Sequence, residues 1–254
     1  MNIIFDFSGK NFVIVGASSG IGKQTAIELA GSGANVLAIG RNIERLEELK
    51  NIYPTQIFTM SLDVIDAKQD DWSKVLSNFV SAVGKIDGGV YSAGIWGLTP
   101  LNGFDAEFAH KIFDTSFWGM VNFIQVASKK KFSNTASAFV LMSSVSGSYG
   151  SKSLFAYSAA KAAVQSAVQS FSKEIVKNRH RINSVAPAVI KTEMMDNEIY
   201  AVMNSEELIS HHILGLGTAA DVSGMILFLL SDRATWITGQ NFFVDGGYIS
   251  GSYV

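Results

Sequence analysis

Asn11-Phe12-Val13-Ile14-Val15-Gly16-Ala17-Ser18-Ser19-Gly20-Ile21-Gly22 is the stretch on which the fold turns. Asn11 to Val15 is a short apolar run closed by a glycine, the pattern of a buried strand. A helical pattern follows, with Ile21, Ile27, Leu29 and Ala30 on its apolar side. Strand, glycine turn and helix in this order make a dinucleotide-binding corner. Gly16, Gly20 and Gly22 let the backbone bend tightly and approach a pyrophosphate, and the helix start offers free N–H groups and partial positive charge. Ser18, Ser19 and Ile21 fall between these glycines and join the candidate cofactor set.

The same alternation continues along the chain. Strands are expected at 35–39, 56–60, 88–92, 138–142, 181–186 and 241–244. Helices are expected at 43–50, 106–130, 155–176 and 219–230, with a further one carrying Trp72, Val75, Leu76, Phe79, Val80 and Val83 as a core stripe. Pro187 ends the sixth strand. No linker or repeat interrupts the pattern. The expected fold is therefore α/β: a single Rossmann-type doubly wound domain over 1–254, with a parallel seven-stranded sheet and helices on both faces. From 192 to 216 the periodicity weakens. Met194, Met195, Ile199, Tyr200 and Met203 fit either a lid over an apolar substrate or an irregular excursion.

In such sheets ligands bind beyond the carboxyl ends of the strands. The glycine turn, Tyr91-Ser92-Ala93-Gly94, Ser143-Ser144 and 187–192 should thus line one crevice. The second strand ends in Gly40-Arg41-Asn42, without the carboxylate that commonly holds a ribose hydroxyl in NAD sites. A guanidinium suits a 2′-phosphate. Arg41, aided by Ser19, therefore points to NADP(H) in preference to NAD(H); the competing reading makes Arg41 a solvated residue before the next helix.

Tyr157-Ser158-Ala159-Ala160-Lys161 supplies the chemistry. Residues four apart share a helix face. A phenol titrates near about 10, and an adjacent ammonium is expected to bring it toward the working range for proton transfer. Net charge of −2 marks no nucleic-acid footprint. With no cysteine, thiol chemistry and disulfides are excluded. His110, His180, His211 and His212 show no metal-ligand spacing, so no metal is expected; the adjacent His211 and His212 should point apart. No run approaches the ~20 apolar residues of a membrane span, and no signal peptide is apparent, so a cytoplasmic protein is expected.

Taken together, Gly16-x-x-x-Gly20-x-Gly22, Asp63-Val64, Ala93-Gly94, Ser144, Tyr157-x-x-x-Lys161, Pro187, Ile190-x-Thr192 and Val244-Asp245-Gly246-Gly247 resemble the short-chain dehydrogenase/reductase family over the whole length. The resemblance implies Tyr157 as general acid or base, with Lys161 lowering its pKa and holding the nicotinamide ribose. Ser144 would orient the substrate oxygen. Asp63, with Val64 beside it, would contact adenine, and Ala93 and Gly94 would line the adenine-ribose side. Pro187, Ile190 and Thr192 would flank the nicotinamide. Four positions depart from the family pattern: Val15 where Thr is common, Tyr91-Ser92 where Asn-Asn is common, Ala188 where Gly is expected after Pro187, and Ser116. At Ser116 the family carries an Asn that keeps the long helix open for a proton-relay water, so the departure puts that relay in doubt.

The function expected is an NADP(H)-dependent interconversion of a carbonyl and a secondary alcohol, with a ketone or acyl thioester as substrate. By resemblance the nearest type is a β-ketoacyl thioester reductase. The competing function is an NADP(H)-binding sensor or scaffold with weak catalysis, motivated by those four departures. Small residues on the Tyr157 helix (Ala159, Ala160, Ala162, Ala163, Ala167) and Phe242, Phe243 and Tyr248 near the end suggest a homodimer or homotetramer. Neither a membrane nor a nucleic-acid partner is expected.

Overall fold

The computed structural model of the chain describes residues 4–191 and 210–250. Its elements run β1 (Asn11–Val15), α1 (Gly20–Gly31), β2 (Asn35–Gly40), α2 (Ile43–Ile52), β3 (Ile57–Ser61), α3 (Gln69–Val83) and β4 (Ile86–Tyr91). Then come α4 (Ala106–Phe113), a π-turn at Asp114–Trp118, α5 (Gly119–Ala127), β5 (Ser133–Met142), α6 (Ser146–Tyr149) and α7 (Phe155–Ile175). The chain closes with β6 (Arg181–Pro187), β7 (Ile190–Lys191), β8 (Gly217–Thr218), α8 (Ala219–Leu230) and β9 (Asn241–Val244).

Seven strands form one sheet in the order β3-β2-β1-β4-β5-β6-β9. Every neighbouring pair is parallel. Parallel strands need crossovers, and the helices supply them, covering both faces. All five β1 residues are therefore buried. Phe12 and Ile14 face a core built with Leu29 of α1, Leu46 of α2 and Ile226 of α8. Val13 and Val15 face the opposite core, with Trp72 and Leu76 of α3, Phe123 of α5 and Val164 of α7. Each such buried side chain contributes about 1.5–3 kcal/mol relative to exposure. The α3 stripe is core as expected.

Chain order reverses direction at β1: β2 and β3 lie to one side, β4 onward to the other. The loops after β1 and β4 therefore separate there and leave a crevice. Three expectations need correction. The long helix expected over 106–130 is broken into α4 and α5 by the π-turn and stops at Ala127. β5 begins at Ser133 rather than 138, and its register with β4 shifts between Ile86 and Gly88. His211 and His212 do not point apart: their rings lie 6.0 and 4.9 Å from that of Tyr248. The chain turns there, with Gly215 N donating to His212 O, and a turn lacks the opposite-face alternation of a strand. Thr192, Met194, Met195, Ile199, Tyr200 and Met203 lie outside the described residues.

Candidate active site

The glycine corner is set by close backbone approach. Gly16 has φ of 87°, and a Cβ there would fall 2.6 Å from Ala93 N. At Gly22 a Cβ would fall 2.2 Å from Gly16 O. Only glycine fits at either place. Gly16 N and Ala17 N both donate to Ile39 O, tying the turn to β2. The α1 N-cap, Ser19, makes no side-chain cap bond, and no acidic residue occupies the first turn. Those N–H groups face the crevice without a competing carboxylate, as a bound phosphate requires.

Ser18, Ser19, Gly20 and Ile21 line this cleft together with Arg41, Asp63, Val64, Ala93, Gly94, Ser144, Tyr157, Lys161, Pro187 and Ile190. Its volume is about 410 Å³. Arg41 Nη1 lies 4.0 Å from Asp63 Oδ2, and both side chains remain substantially exposed at the rim. Asn42 is occupied as the cap of α2, accepting from Arg45 N. Open donors at α1, steric clearance at Gly16 and Gly22, and a cation where β2 ends together fit a phosphorylated dinucleotide.

The other wall is the α7 face. Tyr157 and Lys161 stand one turn apart, with Lys161 Nζ 5.6 Å from the centre of the Tyr157 ring. Lys161 is buried and donates to Met142 O at the end of β5. The loop after β5 is anchored to the same helix. Ser143 Oγ donates to Lys161 O at 2.9 Å. Gln165 Nε2 donates to Ser143 Oγ and to Ser144 O, at 2.9 and 3.1 Å. Gln165 continues the Tyr157/Lys161 row by another four residues, the one sign in the sequence of its place here.

The α7 start is held from a distance. Its N-cap Leu154 has no capping side chain. Instead Ala156 N donates to Thr99 Oγ1 at 3.2 Å, and Thr99 N donates to Ser153 O at 2.6 Å. Thr99 is fully buried. It belongs to the loop that also carries Gly94, Ile95 and Trp96 of the cleft wall. A lone Thr in an apolar loop gives no sequence signal for a cap supplied across 57 positions.

The electrostatics correct one expectation. The Tyr157 phenol is pushed up by burial, and a hydrogen bond with the Ser144 side chain pulls it partly back. The adjacent Lys161 predicts a lowered phenol. Burial wins here, because the charged phenolate loses its hydration. The same burial lowers the Lys161 ammonium from its usual 10.5 to about 8. Ser116 is buried as well. Its Oγ has no hydrogen-bond partner among the described residues. A Cβ on Gly94 would lie 3.3 Å from Lys161 Nζ and 3.5 Å from Ser116 Oγ, so the two polar groups converge on one point. Val15 is a fully buried strand residue whose carbonyl accepts from Ser92 N; Ala188 lines the cleft. Thr192 lies outside the described residues. Among the described residues no three His, Cys, Asp or Glu side chains group as a metal site.

A nucleotide corner facing a hydroxyl–phenol–ammonium cluster across one switch-point cleft is the architecture of a Rossmann-type oxidoreductase. The sequence model of the family described as enoyl-(acyl carrier protein) reductase matches residues 16–249. A 3-oxoacyl-[acyl-carrier-protein] reductase of Thermotoga maritima is 32% identical over 245 residues, covering 95% of this chain and 98% of that one. A tropinone reductase homologue of Arabidopsis thaliana is 31% identical over 246 residues, covering 96% and 76%. Among solved structures, a short-chain dehydrogenase/reductase from Brucella melitensis superposes with a TM-score of 0.90 at 26% identity, covering 97% and 99%. ElxO with NADP bound does so with 0.84 at 29% identity, covering 95% and 99%. The chain belongs to the short-chain dehydrogenase/reductase family.

Proposed function

We propose that this oxidoreductase uses NADPH to reduce the 3-oxo group of an acyl thioester to a secondary alcohol. The observation that carries it is the convergence of Ser144, Tyr157 and Lys161 on the cleft that the glycine corner lines. The bound cofactor supplies the hydride. Tyr157 gives its proton to the carbonyl oxygen as charge develops there, and its raised pKa keeps that proton in place at neutral pH. Ser144 donates a second hydrogen bond to the same oxygen and fixes its position. Lys161, below about pH 8, is charged and stabilises the phenolate left behind. Gln165 holds the Ser144 backbone while this happens.

Preference for the 2′-phosphate is supported by Arg41 at the end of β2, by the lack of a carboxylate there, and by ElxO having been solved with NADP. The thioester substrate is supported by the 3-oxoacyl reductases among the relatives and by a partly apolar wall of Ile95, Trp96, Val145 and Leu154. Acetoacetyl thioester with NADPH should turn over, and replacing NADPH by NADH should weaken cofactor affinity about tenfold or more, the loss of one charge-assisted contact. Turnover of an enoyl thioester but not of the 3-oxo compound would reassign the substrate; tighter NADH binding would reassign the cofactor.

Assembly as a dimer or tetramer belongs to the same proposal. Trp236 is 98% exposed and Phe243 on the edge strand β9 is 45% exposed, and such apolar area favours a partner. Sedimentation showing only monomer would remove it. Among the described residues no helix is long and apolar enough to cross a membrane. A cytoplasmic site of action is proposed on the strength of the dissolved cofactor the reaction needs.

A further inference from the structure

The two departures at Tyr91 and Ser116 meet in one structural unit. Tyr91 ends β4, its ring is 2% exposed, and it rests against Phe123 with ring centres 6.1 Å apart. Its hydroxyl donates to Thr115 O at 2.7 Å. Thr115 lies in the π-turn Asp114–Trp118. In an α-helix the Thr115 carbonyl would accept from Gly119 N, four residues on. Here Gly119 N donates to Asp114 O instead. The extra residue of the π-turn thus takes the α-helical partner away from Thr115 O, and the Tyr91 phenol replaces it. Gly119 makes this possible, since a Cβ there would fall 2.4 Å from the Tyr91 hydroxyl.

The same turn carries Ser116. Its Oγ is buried, without a hydrogen-bond partner among the described residues, and converges with Lys161 Nζ on the face of Gly94. A single π-turn inside an otherwise α-helical run re-aims one residue, and such turns concentrate at functional sites.

We propose that Tyr91 is a positioning residue for proton transfer: its hydroxyl holds the π-turn wound through Thr115 O, and the wound turn keeps Ser116 Oγ beside Gly94, where it and Lys161 Nζ converge. Tyr91 itself touches neither substrate nor cofactor in this role. The proposal rests on the reading of Tyr157 and Lys161 as the proton-transfer pair.

The test is a double-mutant cycle in the NADPH-dependent reduction of acetoacetyl thioester. Tyr91→Phe removes only the hydroxyl and leaves the ring on Phe123. Tyr91→Phe and Ser116→Ala should each lower kcat about tenfold, the scale of one hydrogen bond lost from the transition state. Affinity for NADPH, read separately by fluorescence titration, should stay within about twofold, far inside the tenfold that one such contact is worth. The double variant should be no slower than the slower single, because both act through one group. Losses that multiply in the double variant, or an unchanged kcat in Tyr91→Phe, overturn the proposal.

A packing role is separated by adding Gly119→Ala to Tyr91→Phe, since the new methyl enters the space the hydroxyl leaves. Recovery of melting temperature without recovery of kcat supports the proposal, and recovery of both overturns it. The same added methyl supplies the measurement should Tyr91→Phe alone fold poorly. Tyr157→Phe is run alongside: full activity there defeats the proton-transfer reading itself, a result distinct from any outcome at Tyr91.

Discussion

The two walls of the cleft are built on different principles. The cofactor wall is made by what is missing: Cβ atoms at Gly16 and Gly22, a carboxylate at the end of β2, an acid in the first turn of α1. Its shape follows from close backbone approach, of Gly22 to Gly16 within the turn and of Gly16 to Ala93 after β4. The α7 wall is made by long-range side-chain bonds. Thr99 caps α7 from 57 positions away, Gln165 reaches back over 22 positions to Ser143, and Tyr91 clamps a turn 24 positions on. A steric wall fails abruptly when an atom is added. A bonded wall fails by degrees as partners are removed.

The largest effect should come from the α7 wall at its centre. Tyr157→Phe deletes the proposed proton donor and should lower kcat by about 10²–10⁴-fold, the usual worth of a positioned general acid. NADPH affinity should barely move, because the phenol acts on the substrate oxygen. Steady-state kinetics together with a fluorescence titration check both halves. Next comes the steric wall. Gly22→Ala puts a methyl 2.2 Å from Gly16 O, where neither backbone segment can yield cheaply. It should cost about 1–3 kcal/mol of stability as overpacking does, and weaken NADPH binding by about tenfold for each 1.4 kcal/mol of misfit passed to the phosphate site. A methyl tolerated with full affinity would show that the corner is not set by close approach, and the contrast between the walls would fail.

How much of this is legible in sequence follows the same division. Strand, glycine turn and helix are consecutive, so their order discloses the sheet and the crevice in which the proposed phosphate site lies. The pairing of Tyr157 and Lys161 is legible because helical geometry places i and i+4 together, and the place of Ser143-Ser144 in the crevice because they follow a strand end; Ser144 is singled out only by the family resemblance. Gln165 shares that i+4 row, but its bonds to Ser143 and Ser144 are not visible from it; Thr99 gives no sign at all, since nothing near it indicates that the α7 cap comes from another loop. The π-turn escapes as well, because Phe108, Ile112, Phe117, Val121 and Ile124 read as one continuous helical stripe whether or not one residue is added within it. The direction of the Tyr157 shift was also out of reach, since burial depth, not the neighbouring charge, decides it.

The pH dependence distinguishes the two members of the α7 wall. Burial lowers Lys161 to about 8, so its charged form is complete below that value and is lost above it. Tyr157 is raised and keeps its proton through the same range. The alkaline limb of kcat/KM for carbonyl reduction should therefore turn near pH 8 and fall about tenfold per pH unit beyond it, as loss of one essential proton requires. NADPH is held by the glycine corner as well as by Lys161, so its affinity should fall less over that range than kcat/KM does. A rate constant level up to pH 10 would remove Lys161 from the chemistry.

The smallest effect tests whether the bonded wall is held or merely crowded. Thr99→Val keeps the shape of the side chain and deletes Oγ1, so Ala156 N loses its partner. Loss of such a cap costs about 0.5–2 kcal/mol of stability. Tyr157 sits one residue beyond Ala156, so any loosening of the helix start moves the phenol relative to Ser144. A drop in kcat of about three- to tenfold is expected, the upper end matching roughly 1.4 kcal/mol at the transition state. Thr99→Ser restores the hydroxyl without the methyl and should recover kcat more fully than it recovers stability. That ordering matters, because a residue that only fills space would do the reverse: the serine would fail through its lost methyl while the valine kept full turnover. Ile95 and Trp96 share the Thr99 loop and line the cleft, so a loosened cap should also raise KM for the carbonyl substrate by more than it weakens NADPH binding.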